Sequence, residues 1–416
     1  MTIVLLVFIY LMFVSLGLPD SMLGSSFPAI ADNLSVSSDM AGYIGMTVSV
    51  FTIVSALLSS WMIERFSTKW VVSSSVMLTA VGLLGFSFVR ADTWYLFFLC
   101  AVPLGLGAGA IDSALNNYVS LHYKAIHMNW LHASWGLGTI ISPLIIGSFI
   151  DSSVHSQGWD KGVKIIFIIQ FSLMIVSFLM IPIWNKALEA EAKKENLKGH
   201  SPLENTGKLA TLFHNPIFYL AMVGFFCYCG LETTTGLWSG RYFVSVKGFT
   251  TSEAASLTSF FYLGITLGRV TAGPFSLKIH EKALMRIGES LLLCGVLLTL
   301  LPFSNPWVSV SGILIIGIGC APIYPAIIRS TPYRFSRAYS QKAMGLEMAI
   351  AYGGNLLVSP LFGLVAKQLG ERYSLLPYAA LILALIMTIT HEAINLKLRL
   401  RDAKLSDEEK KNYRAA

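Results

Sequence analysis

This chain is short of charge. Only 13% of its 416 residues are Asp, Glu, Lys or Arg, about half the share a soluble protein of this length needs to face water. One large soluble helical core is thereby excluded for want of polar surface. Cysteine is sparser still. Cys100, Cys227, Cys229, Cys294 and Cys320 all fall inside apolar runs, none has metal-ligand spacing, and an odd count fits no disulfide framework. There is no P-loop, no Gly-rich dinucleotide fingerprint and no metalloprotease motif, so neither an ATP-driven pump nor an enzyme is expected, and no metal or cofactor is called for. The N-terminus has no basic leader or small-residue cleavage site, so its first apolar stretch reads as a retained span.

What is present is hydrophobic length. Of the residues, 54% are hydrophobic and the mean hydropathy is +0.64. Runs such as Ile3–Gly17, Val71–Phe88 and Tyr378–Thr390 are apolar all round, not striped at the helical period. They lack the alternation of a membrane β-barrel, and helices satisfy their own backbone groups in lipid. The expected fold is an all-α polytopic membrane protein. Charges, Pro and Gly divide it into twelve spans near 2–33, 39–64, 69–90, 93–121, 127–150, 162–185, 212–245, 251–279, 283–303, 307–330, 341–369 and 374–399.

One long polar interruption separates two halves of six spans. The expected organisation is a bundle at 1–185, a linker at 186–211, a second bundle at 212–400 and a tail at 401–416. With both termini cytoplasmic, the inner segments hold 22 of the 30 basic residues and the outer ones seven, the bias that sets orientation in a cell membrane. Topology thus accounts for the net charge of +7 without a nucleic-acid partner.

The halves also repeat. Trp135-Gly136-Leu137-Gly138 leads to Ser142-Pro143-Leu144, as Tyr352-Gly353-Gly354-Asn355 leads to Ser359-Pro360-Leu361. Asp20…Gly24 mirrors Glu232…Gly236, and Ser37-Ser38-Asp39-Met40-Ala41 mirrors Thr251-Ser252-Glu253-Ala254-Ala255. Six-helix repeats imply a pseudo-two-fold axis along the membrane normal, with a solute site between them at midplane. The function this supports is secondary transport of a small solute.

Ionisable residues inside spans cost about 2.5–3.5 kcal/mol each, so each should face a cavity or a partner. Asp20 follows the helix-straining Pro19, and a carboxylate there can bind a proton or hydrogen-bond a polyol. Asp112 shares a helix face with Asn116, Asn117 follows, and a Gly-rich stretch precedes it. Glu232, the counterpart of Asp20, is a candidate for binding or an outer gate. Arg269 could pair with a carboxylate of the other half or act as a cytoplasmic gate, and Glu347 reads as a gate or structural ion pair near an inner end. Trp135, Trp238, Tyr324 and Tyr352, the last with Asn355, offer the aromatic faces and amides on which sugars stack and hydrogen-bond.

Twelve spans, a central cytoplasmic loop and two repeated halves resemble the major facilitator superfamily over nearly the whole chain. Its loop signature between spans two and three is degenerate here, Ser60-Trp61-Met62-Ile63-Glu64-Arg65-Phe66-Ser67-Thr68-Lys69, where Arg65, Lys69 and the acidic character of Glu64 survive and Glu64 and Arg65 are candidate gating positions. Asp20 in span one, Asp112 with Asn116 and Asn117 in span four, and Gly268-Arg269…Gly273 resemble the fucose–proton symporter and sugar-porter branch. That resemblance implies sugar binding at Asp20 and proton coupling at Asp112, where the family usually carries Glu. Its implied mechanism is alternating access with proton symport of a monosaccharide. The rivals are a proton-coupled exporter of drugs or sugars and, more weakly, a transport-dead sensor. The expected partners are protons, a sugar-like solute and the bilayer, with a monomer as the expected state.

Overall fold

The computed structural model describes residues 2–123, 125–186, 212–275, 279–302, 305–335 and 337–404. Among them the chain is helical, apart from short turns and one isolated bridge between Asp151 and Gln157. The helices are α1 Thr2–Leu34, α2 Met40–Phe86, α3 Leu96–His122, α4 Ala125–Phe149, α5 Trp159–Leu179, α6 Pro216–Lys247, α7 Thr251–Leu257, α8 Ser259–Phe275, α9 Glu281–Leu300, α10 Pro306–Phe335, α11 Arg337–Gln368 and α12 Leu376–Lys404. Ten segments among the described residues are long and apolar enough to cross a bilayer, and α4 and the α7–α8 pair complete the twelve. Most of the proposed linker and the end of the tail lie outside the described residues.

Two boundaries differ from the expectation. Spans two and three belong to one hydrogen-bonded run, α2, interrupted only at Ser67, whose φ of 66° and ψ of 155° leave the helical basin. Span eight is split, because Thr258 stands between α7 and α8 as a cap whose hydroxyl donates back to the Ala254 carbonyl. Neither break carries the Gly or Pro that usually announces one.

Each bundle is tied internally by polar groups that cannot reach water. The buried Gln170 amide of α5 donates to Ser15 of α1 at 2.9 Å and to Thr79 of α2 at 2.6 Å. In the second bundle His391 of α12 meets Glu289 of α9 at 2.5 Å, both nearly fully buried. Large exposed side chains such as Leu57, Leu99, Leu179 and Ile389 form the outer, lipid-compatible face.

The bundles meet where backbone approaches backbone. A Cβ added at Gly24 of α1 would lie 2.5 Å from the Gly236 carbonyl of α6, so only glycine permits this crossing. The two positions that mirror each other in the sequence therefore touch across the pseudo-two-fold axis. Beside them, Gly42 of α2 abuts Pro360 of α11, and Gly136 of α4 abuts Thr266 of α8. At the end holding the 35–39, 150–158 and 368–376 turns, Lys367 pairs with Asp39 at 3.1 Å and Ser252 donates to the Gly147 carbonyl at 2.6 Å. There too, Ser156 donates to Asp32 at 2.7 Å and meets Thr251 at 2.8 Å. This turn end is closed by side chains from both bundles.

Candidate functional site

A cavity of about 340 Å³ lies between the bundles, lined from both of them. Among the described residues its charged groups are Asp20, Asp112, Glu232 and Arg269, and its polar walls include Ser49, Thr52, Thr233 and Asn355. Residues that lie more than two hundred positions apart in the chain are thus gathered into one chamber.

Asp20 projects into this space near the middle of α1, next to Pro19. Its Oδ2 accepts the indole N–H of Trp135 at 2.7 Å. The contact is possible because α1 and α4 lie almost backbone to backbone, with Gly138 of α4 set against the Val14 carbonyl and Gly17. Trp135 has a second neighbour: the Arg269 guanidinium lies 5.0 Å from its ring centroid, a cation–π arrangement across the bundle interface. Tyr262 packs edge-on against the same indole at 6.2 Å.

Asp112 uses its two oxygens differently. Oδ1 accepts the amide of Asn116 at 2.8 Å, one turn along α3, and Oδ2 faces the Tyr352 hydroxyl of α11 at 3.5 Å. The side chain of Asn117 lies outside what the structure describes. Asn355, one turn beyond Tyr352, accepts the Thr233 hydroxyl at 2.7 Å through its side-chain oxygen. Tyr324 lines the cavity, donates to the Met348 sulfur at 3.2 Å and leans on Phe225.

Two expectations are corrected, the partner of Arg269 and the place of Trp238. Arg269 pairs with Glu232 of its own bundle at 3.8 Å, and its contact with the other bundle is aromatic, not acidic. It sits in the wall of the cavity, where α8 turns that face inward beside Tyr262. Trp238 does not line the cavity. It is 1% exposed, donates to the Ser359 carbonyl at 3.0 Å and stacks on Tyr373 at 5.6 Å, filling the space left by Gly42 and Gly363 near the closed turn end. Glu347 makes the structural ion pair that was one of its two expected roles: it is fully buried, accepts the Thr331 hydroxyl at 2.6 Å and lies 3.7 Å from Arg334, within the second bundle. Arg65 is exposed and among the described residues enters no ion pair, Lys69 of the same loop hydrogen-bonds Asn185, and the side chain of Glu64 lies outside the described residues.

Some cavity residues carried no usable signal in the sequence. Ser49, Thr52 and Thr233 look like ordinary membrane hydroxyls until α2 and α6 are placed. Tyr262 shares a helix face with Arg269 and could have been found from it. His132 lines the cavity too, its ring 5.7 Å from Phe13 and 6.5 Å from Tyr324.

Two helical bundles enclosing a solute-sized chamber, largely apolar but carrying a few charged and polar side chains, with no strand among the described residues, define a membrane transporter by class. The chain belongs to the Major Facilitator Superfamily, whose sequence pattern matches residues 9–256 and again 245–412. It is 25% identical over 370 residues to the glucose/mannose transporter GlcP of Bacillus subtilis (strain 168), covering 86% of this chain and 87% of that protein. It is 22% identical over 381 residues to the cis,cis-muconate transport protein of Acinetobacter baylyi (strain ATCC 33305 / BD413 / ADP1), covering 85% and 87%. Its fold is similar to that of a D-xylose–proton symporter, with a TM-score of 0.72 at 15% identity over 92% of this chain and 96% of that one. It is also similar to that of the transporter FucP in its outward conformation, with a TM-score of 0.62 at 15% identity, covering 94% and 98%.

Proposed function

We propose that this protein imports a neutral monosaccharide together with a proton, by alternating access of the cavity between its two bundles. The observation that carries the reading is the pairing of Asp20 with Trp135 in the chamber wall. An indole beside a carboxylate offers a stacking face for the apolar side of a sugar ring and an acceptor for its hydroxyls. The chamber is large enough for one hexose and a few waters, and its Thr233–Asn355 pair adds a donor and an acceptor on the opposite wall. The glucose/mannose transporter among the relatives points to a hexose, whereas the muconate carrier is a reminder that this fold also moves dianions. Among the described residues, three carboxyl groups against one guanidinium disfavour an anionic solute here.

In this reading Asp20, Trp135, Glu232, Tyr324 and Asn355 contact the sugar, and Asp112 carries the proton. The excess of Lys and Arg on the termini side makes the closed turn end extracellular. The conformation is then one with the outer gate shut, its latch made by Asp39 and Lys367.

The test is uptake of labelled D-glucose and D-mannose into proteoliposomes holding the purified protein. Accumulation is expected when the outside is acid, and it should collapse on adding a protonophore. Accumulation driven only by the opposite gradient would make the protein an exporter. Uptake indifferent to pH would remove the proton from the mechanism.

A further inference from the structure

Asp112 and Tyr352 sit on different bundles, and their hydroxyl–carboxylate contact crosses the interface in the middle of the cavity. We infer that the Tyr352 hydroxyl transmits the protonation state of Asp112 to the solute and to the second bundle, making it the coupling residue and not merely part of the wall. The inference rests on reading Asp112 as the proton carrier.

The argument is one of donors and acceptors. Oδ1 of Asp112 is held by the Nδ2 of Asn116, an NH2 group that only donates, so in this arrangement that oxygen remains an acceptor whatever the charge. An incoming proton is therefore directed to Oδ2, the oxygen facing Tyr352. While Asp112 is ionised it can only accept, so the tyrosine O–H points at it and turns its lone pairs to the cavity. Once Oδ2 is protonated it donates to the tyrosine oxygen, and the tyrosine hydrogen swings out to meet a solute oxygen. One proton is gained by the carboxyl and none is lost by the phenol. Proton binding thus converts Tyr352 from an acceptor to a donor as seen by the solute.

The contact is also well placed to act on the gate. At 3.5 Å it is long for an O–H···O bond, hence easily made and released. Tyr352 lies 15 positions before Lys367 on the same helix, about 22 Å along its axis, so α11 carries the reader of the acid at one point and the Asp39 latch at another. Other groups surround Asp112: Asp20 from α1, Arg269 from α8 and Tyr324 from α10 lie within electrostatic reach. Among the described residues, however, Tyr352 is its one hydrogen-bond partner from the second bundle.

The experiment measures D-glucose affinity between pH 5.5 and 8, together with acid-driven accumulation, in full-length wild type, Tyr352→Phe, Asp112→Asn and the double variant. Wild type should bind more tightly as pH falls. Tyr352→Phe should flatten that dependence to within about twofold and lower accumulation tenfold or more, while counterflow falls by less. In the Asp112→Asn background, Tyr352→Phe should change pH dependence and accumulation no further, because the two act in series. A uniform loss of affinity at every pH with accumulation retained would overturn the proposal and leave Tyr352 a plain solute contact. Additive effects in the double variant would overturn it as well. A wild type whose glucose affinity and accumulation ignore pH would overturn the Asp112 reading itself, and this inference with it.

Discussion

The indole nitrogen of Trp135 and the Asp20 carboxyl group lie 2.7 Å apart, a hydrogen bond in the wall of the cavity between the bundles. Trp135 thereby fixes the direction in which Asp20 presents its free oxygen. It also carries Arg269 over its face, so one side chain organises an acid from its own bundle and a base from the other.

Replacing this indole should separate its two duties. Trp135→Phe keeps a ring for stacking but loses the donor to Asp20, and a hydrogen bond to a charged group contributes roughly 1.5–3 kcal/mol. Binding of D-glucose, followed by isothermal titration, should weaken about tenfold to a hundredfold. An affinity within twofold of wild type would show that the Asp20 orientation does not matter.

Asp112→Asn should abolish accumulation against a gradient while sparing exchange. Without a titrating group the internal to external ratio in proteoliposomes should fall to roughly one, the value of a facilitated carrier. Accumulation persisting in this variant would place the proton elsewhere.

The latch at the turn end should set which way the cavity opens. Lys367 is half-exposed, so its pair with Asp39 is worth at most about 1 kcal/mol. Lys367→Ala should then shift the population toward the state open at the turn end by up to about fivefold. A Leu23→Cys reporter in the cavity wall, in a background with the native cysteines replaced, should react correspondingly faster with an impermeant thiol reagent added from that side. An unchanged rate would show the latch to be incidental.

Gly24 leaves no room for a side chain. Gly24→Val places a Cβ 2.5 Å from the Gly236 carbonyl and adds two methyl groups beyond it, an overpacking that usually costs about 1–3 kcal/mol. Transport should be lost and the detergent-solubilised protein should melt several degrees lower or sit open at the turn end. A fully active Gly24→Val would mean that the α1–α6 crossing is looser than the geometry requires.

The buried pair of the second bundle should be structural. His391→Ala would strand Glu289 in the interior, and removing one member of such a pair costs about 3–5 kcal/mol. The expected result is a marked fall in melting temperature, with a smaller fall for Glu289→Gln, which leaves no unpaired charge. Equal effects of the two changes would argue against a charge penalty.

Much of the fold was legible before any coordinates. Hydrocarbon thickness demands about twenty apolar residues per crossing, so run length alone locates the spans. The mirrored Asp20…Gly24 and Glu232…Gly236 motifs disclosed the two halves, and they prove to face each other. Asp20 and Asp112 stood out because an ionisable group in hydrocarbon must have a reason to be there. Both line the cavity.

Other assignments failed for a common cause. Trp238 and Arg269 were placed on the right helices, but the rotation of a helix about its axis is not written in an all-apolar run. A small shift in that rotation decides whether Trp238 fills the turn end or the cavity, and whether Arg269 finds Glu232 or an acid of the other half. The Ser67 and Thr258 breaks were equally unmarked, since neither carries Gly or Pro.

Sequence alone therefore determined what the bilayer enforces: the number of helices, their repeat, and the few charges that cannot face lipid. The tertiary structure alone decided which side chains share the chamber. Asp20 meets Trp135, and Asp112 meets Tyr352, only because close-packed glycines set each helix at one depth and one rotation against its neighbours.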